Sequence, residues 1–274
     1  MMKQGETDTV TTDNETAPQH LHYEEQGNVA VISYDRPDCR NAMNNQTYRE
    51  LVAAVERANA SEAVGAIVLT HKGPVFCAGI DLKALPEEKD PLTGIRPSVA
   101  TMGMANDTSW VHLMKRSKPT VAALNGAAIG LGATHVLAVD IRIGSRAASF
   151  SFPFLTRGSM PEFGFSALLP QIVGFGAAID MCLTSAKLDA ETCLAKGLLT
   201  RLTEAEDALP EAIALASEIG RHSLLQVSLT RQLIYDNAGE SDWNTIMTRE
   251  REAFIQLFRG QRAARQAQEA AAGG

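Results

Sequence analysis

The 274-residue sequence predicts an α/β fold: a spiral of strand–helix units with parallel strand pairing, followed by a helical C-terminal region. Three observations carry this expectation. Short apolar runs alternate with stretches of helical periodicity through the first 165 residues or so. Two of those runs end in tight turns of small residues, FCAGIDL at 76–82 and NGAAIGLGA at 125–133. From about Ser166 onward the pattern is almost entirely helical.

Taken in order, residues 22–34 alternate and end in VAVISY, which predicts a strand. Over 45–60, Tyr48, Leu51, Val52, Val55 and Ala58 recur at helical spacing, and Asn44 or Asn45 can cap that helix. AIVLT at 66–70 is the next strand and runs into the first turn. Residues 85–107 are rich in Pro, Gly and charge and read as a long loop, usually functional or mobile in a compact domain. A short helix over 110–116 precedes the strand TVAAL at 120–124, which runs into the second turn. Both turns are expected to enter helices, the second over 130–137. DIRIG at 140–144 is strand-like. Asp189 is placed to cap a short helix closed by Gly197. Residues 208–237 read as two helices and 242–271 as another. No internal repeat is visible.

Composition narrows the function. A hydrophobic fraction of 45% is that of an ordinary globular enzyme. No apolar run approaches the ~18 residues of a membrane span. The polar first 20 residues lack a signal-peptide core and read as a disordered tail. A net charge of −7 without a long Lys/Arg run argues against a nucleic-acid partner. Cys39, Cys77, Cys182 and Cys193 have neither disulfide-framework nor metal-site spacing, so reduced thiols in the cytoplasm are the simplest reading. GLGA lacks the Lys-Ser/Thr of a nucleotide-phosphate loop.

The two turns point to a chemistry. A tight strand-to-helix turn leaves backbone N–H groups unpaired and aimed at one spot. A single such turn is more often a plain connection. Two in one domain can aim two donors at one developing oxyanion, which suggests carbonyl chemistry through an enolate or a tetrahedral intermediate.

At these turns the sequence resembles the crotonase, or enoyl-CoA hydratase/isomerase, family. The resemblance runs from about Leu21 to Phe258. It is carried by RPDCRNAM at 36–43, FCAGIDL, NGAAIGLGATHVLAVDIRI, SMPEFGF at 159–165 and KLDAETCLAKGLL at 187–199, in that order. It implies a crotonase-like spiral of ββα units over 21–200 after the 1–20 tail. The helical region over 201–274 would then assemble trimers or hexamers. The resemblance also implies an acyl-CoA thioester as substrate and no separate cofactor or metal. Its oxyanion donors would be the backbone N–H groups of Ala78 and Leu131. Leu131 stands where the family usually has glycine, so its side chain is expected to crowd the site. Coenzyme A would be held by Cys39, Arg40 and Ala42, with Gly79, Ile80, Asp81, Leu82 and Gly130. Asp81 is also expected to cap a helix, and Arg40 could reach a phosphate.

The acid–base residues depart from the hydratase pattern, which places one Glu at position 134 and a second after the proline at 153. This chain has Thr134 and Phe154 there. Glu162, in SMPEFGF, instead resembles the base of the Δ3,Δ2-enoyl-CoA isomerase branch, where one Glu moves a proton from C2 to C4. Burial against Phe152, Phe154, Phe163 and Phe165 would raise its pKa and make it a better base. Isomerisation of an unsaturated acyl-CoA is therefore the leading expectation. Another crotonase reaction (thioester hydrolysis, C–C cleavage, atypical hydration) and a catalytically silent acyl-CoA binder are the alternatives. His135, His112 and Cys77 are weaker catalytic candidates, and Asp140 reads as structural. Arg157 suits either the acyl group or a subunit interface, and Phe254 and Phe258 either the acyl pocket or the core.

Overall fold

The structure, a computed structural model, describes residues 19–89, 91, 94, 96, 109–204 and 206–272. Most of the expected 85–107 loop and the first eighteen residues of the expected tail lie outside the described residues. Gln19 and His20 are tied down: their amides donate to the Glu50 carboxylate at 3.2 and 2.9 Å.

The strands are β1 (Leu21–Gln26), β2 (Val29–Tyr34), β3 (Ala66–His71), β4 (Thr120–Leu124), β5 (Ala127–Ile129), β6 (Ile141–Gly144), β7 (Ser149–Ser151), β8 (Lys187–Asp189) and β9 (Arg201–Leu202). The helices are α1 (Asn45–Ala60), α2 (Trp110–Arg116), α3 (Leu131–Thr134), α4 (Phe165–Val173), α5 (Phe175–Thr184), α6 (Ala190–Ala195), α7 (Leu209–Ile219), α8 (Leu224–Asn237) and α9 (Trp243–Ala272). The main sheet has the order β1-β2-β3-β4-β6-β9, parallel except for the β1–β2 pair. A small second sheet, β5-β7-β8, stands beside it.

The parallel strands are buried on both faces. Ala30, Ile32, Ile67, Leu69, Ala122 and Leu124 join the larger core, which α1, α2 and α4 complete. The alternate residues Val29, Val31, Ala66, Val68, Val121 and Ala123 join a smaller core closed by Ala212 and Ala216 of α7. Double-sided burial is why these strands read as unbroken apolar runs. Helix α1 starts where Asn44 Oδ1 accepts the Thr47 amide at 2.9 Å.

Several expectations need correction. The one strand expected over 22–34 is a hairpin, because Gly27 adopts φ +61° and reverses the chain at Gly27–Asn28. The first turn enters only a 3-10 turn, Leu82–Ala84, which Asp81 caps by accepting the Lys83 amide at 3.2 Å. The helix expected over 130–137 is α3 followed by the 3-10 turn His135–Ala138. The region after Ser166 contains β8 and β9; strands of two or three residues show no periodicity of their own.

One carboxylate pins the C-terminal helices to this core. Asp140 accepts the amide and hydroxyl of Thr120, both at 2.8 Å. From α8 it also accepts Arg231 Nη2 at 2.9 Å and the Tyr235 hydroxyl at 2.6 Å. Asp140→Ala would leave the largely buried Arg231 guanidinium without its counter-ion. We expect a loss of about 3–5 kcal/mol in chemical denaturation, with α8 and α9 becoming cleavable first in limited proteolysis.

Candidate active site

The two turns meet backbone to backbone. Cys77 N–H donates to the Ala127 carbonyl at 3.2 Å, and Ile129 N–H returns to the Cys77 carbonyl at 3.0 Å. The first turn thereby runs as a parallel bridge beside β5. Helix α3 then starts directly above it, because residue 132 is glycine: a β-carbon there would overlap the Cys77 carbonyl oxygen.

The opposite edge of the first turn is held by the 36–43 loop. Met43 N–H donates to Gly79 O at 2.8 Å, and Asp81 N–H donates to Met43 O at 2.9 Å. Both segments expected to hold coenzyme A, Cys39–Ala42 and Gly79–Leu82, therefore form one surface. Arg40 and Cys39 are exposed on it, and Leu82 is 67% exposed. Two residues that the sequence reading passed over build this surface. Arg36 donates to Ala42 O at 2.6 Å and pairs with Asp81 at 3.1 Å. The buried Asn41 accepts the Arg36 amide at 2.8 Å and donates to Lys72 O and Val75 O. The only signal for either was membership of the RPDCRNAM stretch.

The two amides expected as oxyanion donors, those of Ala78 and Leu131, differ in their surroundings. The N–H of Ala78 is engaged by the Arg40 carbonyl at 3.1 Å. No acceptor among the described residues meets the N–H of Ile80 or of Leu131. A methyl group at Gly79 would lie 3.7 Å from the Leu131 nitrogen and 2.9 Å from the Ile129 carbonyl oxygen, so the Gly79–Ile80 peptide abuts the second turn. The free amides that the turns bring together are those of Ile80 and Leu131. Leu131 does not crowd them: its side chain is 2% exposed, in the larger core. Gly130, at φ +53°, precedes α3 and accepts the amides of Ala133 and Thr134, both at 2.9 Å.

Below Leu131 a buried chain of side chains fixes α3. His135 is fully buried, and Nδ1 lies 2.9 Å from the Leu131 carbonyl. A carbonyl only accepts, so Nδ1 carries the proton and Nε2 accepts from the Tyr34 hydroxyl at 2.8 Å. Burial lowers its pKa to about 4, which keeps the ring neutral. This His packs rather than reacts. Cys77, likewise buried, is pushed up to about 12 and stays a thiol.

Glu162 is presented by a turn in which Phe163 and Gly164 both take positive φ, at 57° and 71°. Glu162 is buried, 6% exposed, and its Oε1 lies 3.3 Å from Thr134 Oγ1. Burial pushes its pKa up to about 7, while the Thr134 bond pulls the other way. It lines a cavity of about 440 Å³ with Trp110, His112, Lys115, Phe163 and Phe165. Phe152 and Phe154 pack on Phe165 with ring centres 4.9 and 5.4 Å away, forming the apolar wall behind it. His112 is exposed and bonded to Ser109 at 2.8 Å. Arg157 is exposed in the 3-10 turn Leu155–Arg157. Phe254 and Phe258 are exposed on α9 and stack on each other, outside both cores.

Two neighbouring turns with unengaged amides, and a buried carboxyl lining a cavity, are features suited to acyl-transfer or enolate chemistry. Comparison with known proteins makes the class specific. A family model described as enoyl-CoA hydratase/isomerase matches residues 24–269. The enoyl-CoA hydratase AFT3-1 of Alternaria alternata is 34% identical over 210 residues, covering 76% of this chain and 69% of that one. The short-chain-enoyl-CoA hydratase of Clostridium acetobutylicum is 31% identical over 237 residues, covering 86% and 88%. A solved enoyl-CoA hydratase subunit I from Geobacillus kaustophilus superposes with a TM-score of 0.78 at 29% identity, covering 88% and 90%. The chain belongs to the enoyl-CoA hydratase/isomerase family, the crotonases, and is an acyl-CoA enzyme.

Gly132→Ala tests the contact on which this site depends. The added methyl must push α3 off the Cys77 carbonyl, so we expect a loss of acyl-CoA turnover on the order of a hundredfold with a fall in Tm; wild-type kinetics in a correctly folded variant would refute the geometry.

Proposed function

We propose that the chain is a Δ3,Δ2-enoyl-CoA isomerase in which Glu162 is the sole acid–base residue. The observation that carries this reading is that Glu162 is the one carboxyl among the described residues lining the cavity, bonded to the hydroxyl of Thr134, at one of the two positions where a hydratase keeps a Glu. Addition of water to a 2-enoyl thioester calls for one group to activate water and another to deliver the α-proton. Moving a double bond calls for one group that takes a proton from C2 and returns it to C4. The amides of Ile80 and Leu131 supply the donors for the enolate oxygen, and the weakly acidic α-proton needs both. A carboxyl that titrates near 7 exchanges its proton readily in either direction at neutral pH.

One observation favours a second reading, atypical hydration: the curated relatives reported above carry the name hydratase. Incubation with trans-3-hexenoyl-CoA separates the two. Isomerisation gives the conjugated 2-enoyl thioester at unchanged mass, whereas hydration of trans-2-hexenoyl-CoA adds one water. We expect conversion in the first case only. Its kcat/KM should rise with pH through about 7, as Glu162 becomes a carboxylate, and then level off. Glu162→Gln should lower the rate by about 10²–10⁴ with the fold retained. Full activity in that variant would sink the assignment.

The reading includes assembly of identical subunits. Phe175, Ile179 and Leu183 form an exposed apolar stripe on α5, 75%, 45% and 64% exposed. A stripe of large apolar side chains in water is a common mark of a subunit contact. Light scattering should give three or six times the 29.4 kDa chain mass, and Ile179→Asp with Leu183→Asp should lower it; a monomeric wild type would contradict the assembly.

A further inference from the structure

Glu162 has one side-chain hydrogen-bond partner among the described residues, and it is Thr134. Thr134 is fully buried on α3, and its hydroxyl has two acceptors in reach: Glu162 Oε1 at 3.3 Å and the Leu131 carbonyl at 3.1 Å. A hydroxyl has one proton to give and lone pairs to receive another. It can give a short, linear bond to only one of them at a time, and which one it favours depends on whether the carboxyl is charged.

We propose that Thr134 is a positioning residue whose hydroxyl turns with the proton on Glu162, donating to Oε1 while the group is a carboxylate and to the Leu131 carbonyl once it is an acid. The inference rests on Glu162 as the base. In the resting state the O–H bond steadies a buried anion that has no other side-chain donor, and it leaves Oε2 as the oxygen available to the substrate. When Oε2 takes the α-proton the negative charge passes to the thioester oxygen, and the hydroxyl is no longer needed at Oε1. It swings to the Leu131 carbonyl, in the residue whose amide would then bear the oxyanion. Return of the proton to C4 restores the carboxylate and the first bond. The hydroxyl proton never leaves Thr134, so only one proton moves in the cycle. The other titratable groups on the cavity wall are His112 and Lys115 of α2, while burial raises the Glu162 pKa and the Thr134 bond lowers it. His135, one residue along, is sealed against Tyr34, Phe76 and Trp110. A carboxylate at position 134 would place a second anion against the first; the hydroxyl accepts either charge state of its neighbour.

The test removes the hydroxyl without changing the volume. Infrared difference titration of the full-length protein, with Glu162→Gln identifying the band, reads the Glu162 carboxyl directly and needs no turnover. We expect Thr134→Val to titrate about one pH unit above wild type, since an anion has lost a donor of the usual strength. Thr134→Ala, a second hydroxyl-free variant, should match it, and Thr134→Ser should return to wild type. The low-pH limb of kcat/KM with trans-3-hexenoyl-CoA should move by the same amount. Unchanged Glu162 titration in folded Thr134→Val or Thr134→Ala overturns the proposal. A shifted titration in a protein that does not isomerise 3-enoyl-CoA upholds the hydroxyl's role and rejects the reaction instead.

Discussion

The site depends on a backbone contact: the Cys77 carbonyl lies under the first residues of α3, with nothing between them but the α-hydrogens of Gly132. The Ile129 amide reaches that same carbonyl, and the Cys77 amide reaches Ala127. Neither turn could present a free donor to the other without this approach. The first turn is a strand extension that would otherwise satisfy its amides along an edge. The second is a helix start, whose first amides have no partner within the helix. Pressing one against the other leaves two amides, Ile80 and Leu131, with no acceptor among the described residues. Orphaned donors are costly when dry, so a site that accumulates negative charge is the environment in which they are worth keeping.

Side chains near this contact stabilise it rather than react. Leu131 anchors the start of α3 in the core, and His135 holds its carbonyl from below through Nδ1. The neutrality of His135 matters, because a charged imidazolium there would lose its bond from Tyr34 and bury a cation against Phe76 and Trp110. On the other side, Arg36 and Asn41 fold the 36–43 loop so that its carbonyls and amides edge the first turn. One consequence of that edge is the engagement of the Ala78 amide by the Arg40 carbonyl, while the Ile80 amide meets no acceptor among the described residues.

The parts legible in the sequence were those fixed locally. Small residues after an apolar run announce a tight turn, Asn44 and Asp189 announce caps, and the pair of turns announces carbonyl chemistry. The unread parts depend on segments far apart in the chain. Whether Ala78 or Ile80 has a free amide is decided by where the Arg40 carbonyl falls, and no periodicity encodes that. The direction of the Leu131 side chain is set by the core that receives it. The hairpin at Gly27–Asn28 was written in turn residues and could have been read. Strands β5, β7 and β8 could not, because runs of three residues leave no pattern of their own.

The choice of a single carboxyl follows from the same environment. Phe152, Phe154, Phe163 and Phe165 make the region around Glu162 a poor solvent for charge. One carboxyl can live there by holding its proton until about neutral pH, as burial makes it do. A second beside it would raise the cost for both, and one of the pair would stay protonated through the physiological range. Hydration needs two groups in opposite protonation states, so it tolerates that coupling. A one-base shuttle needs its group to give and take the same proton with little bias. Thr134 and Phe154, one neutral and hydrogen-bonding and the other apolar, remove the partner charge that would impose such a bias. For the proposed one-base reading, this is the physical sense of the two missing hydratase carboxylates: neither replacement side chain gives Glu162 a charged neighbour.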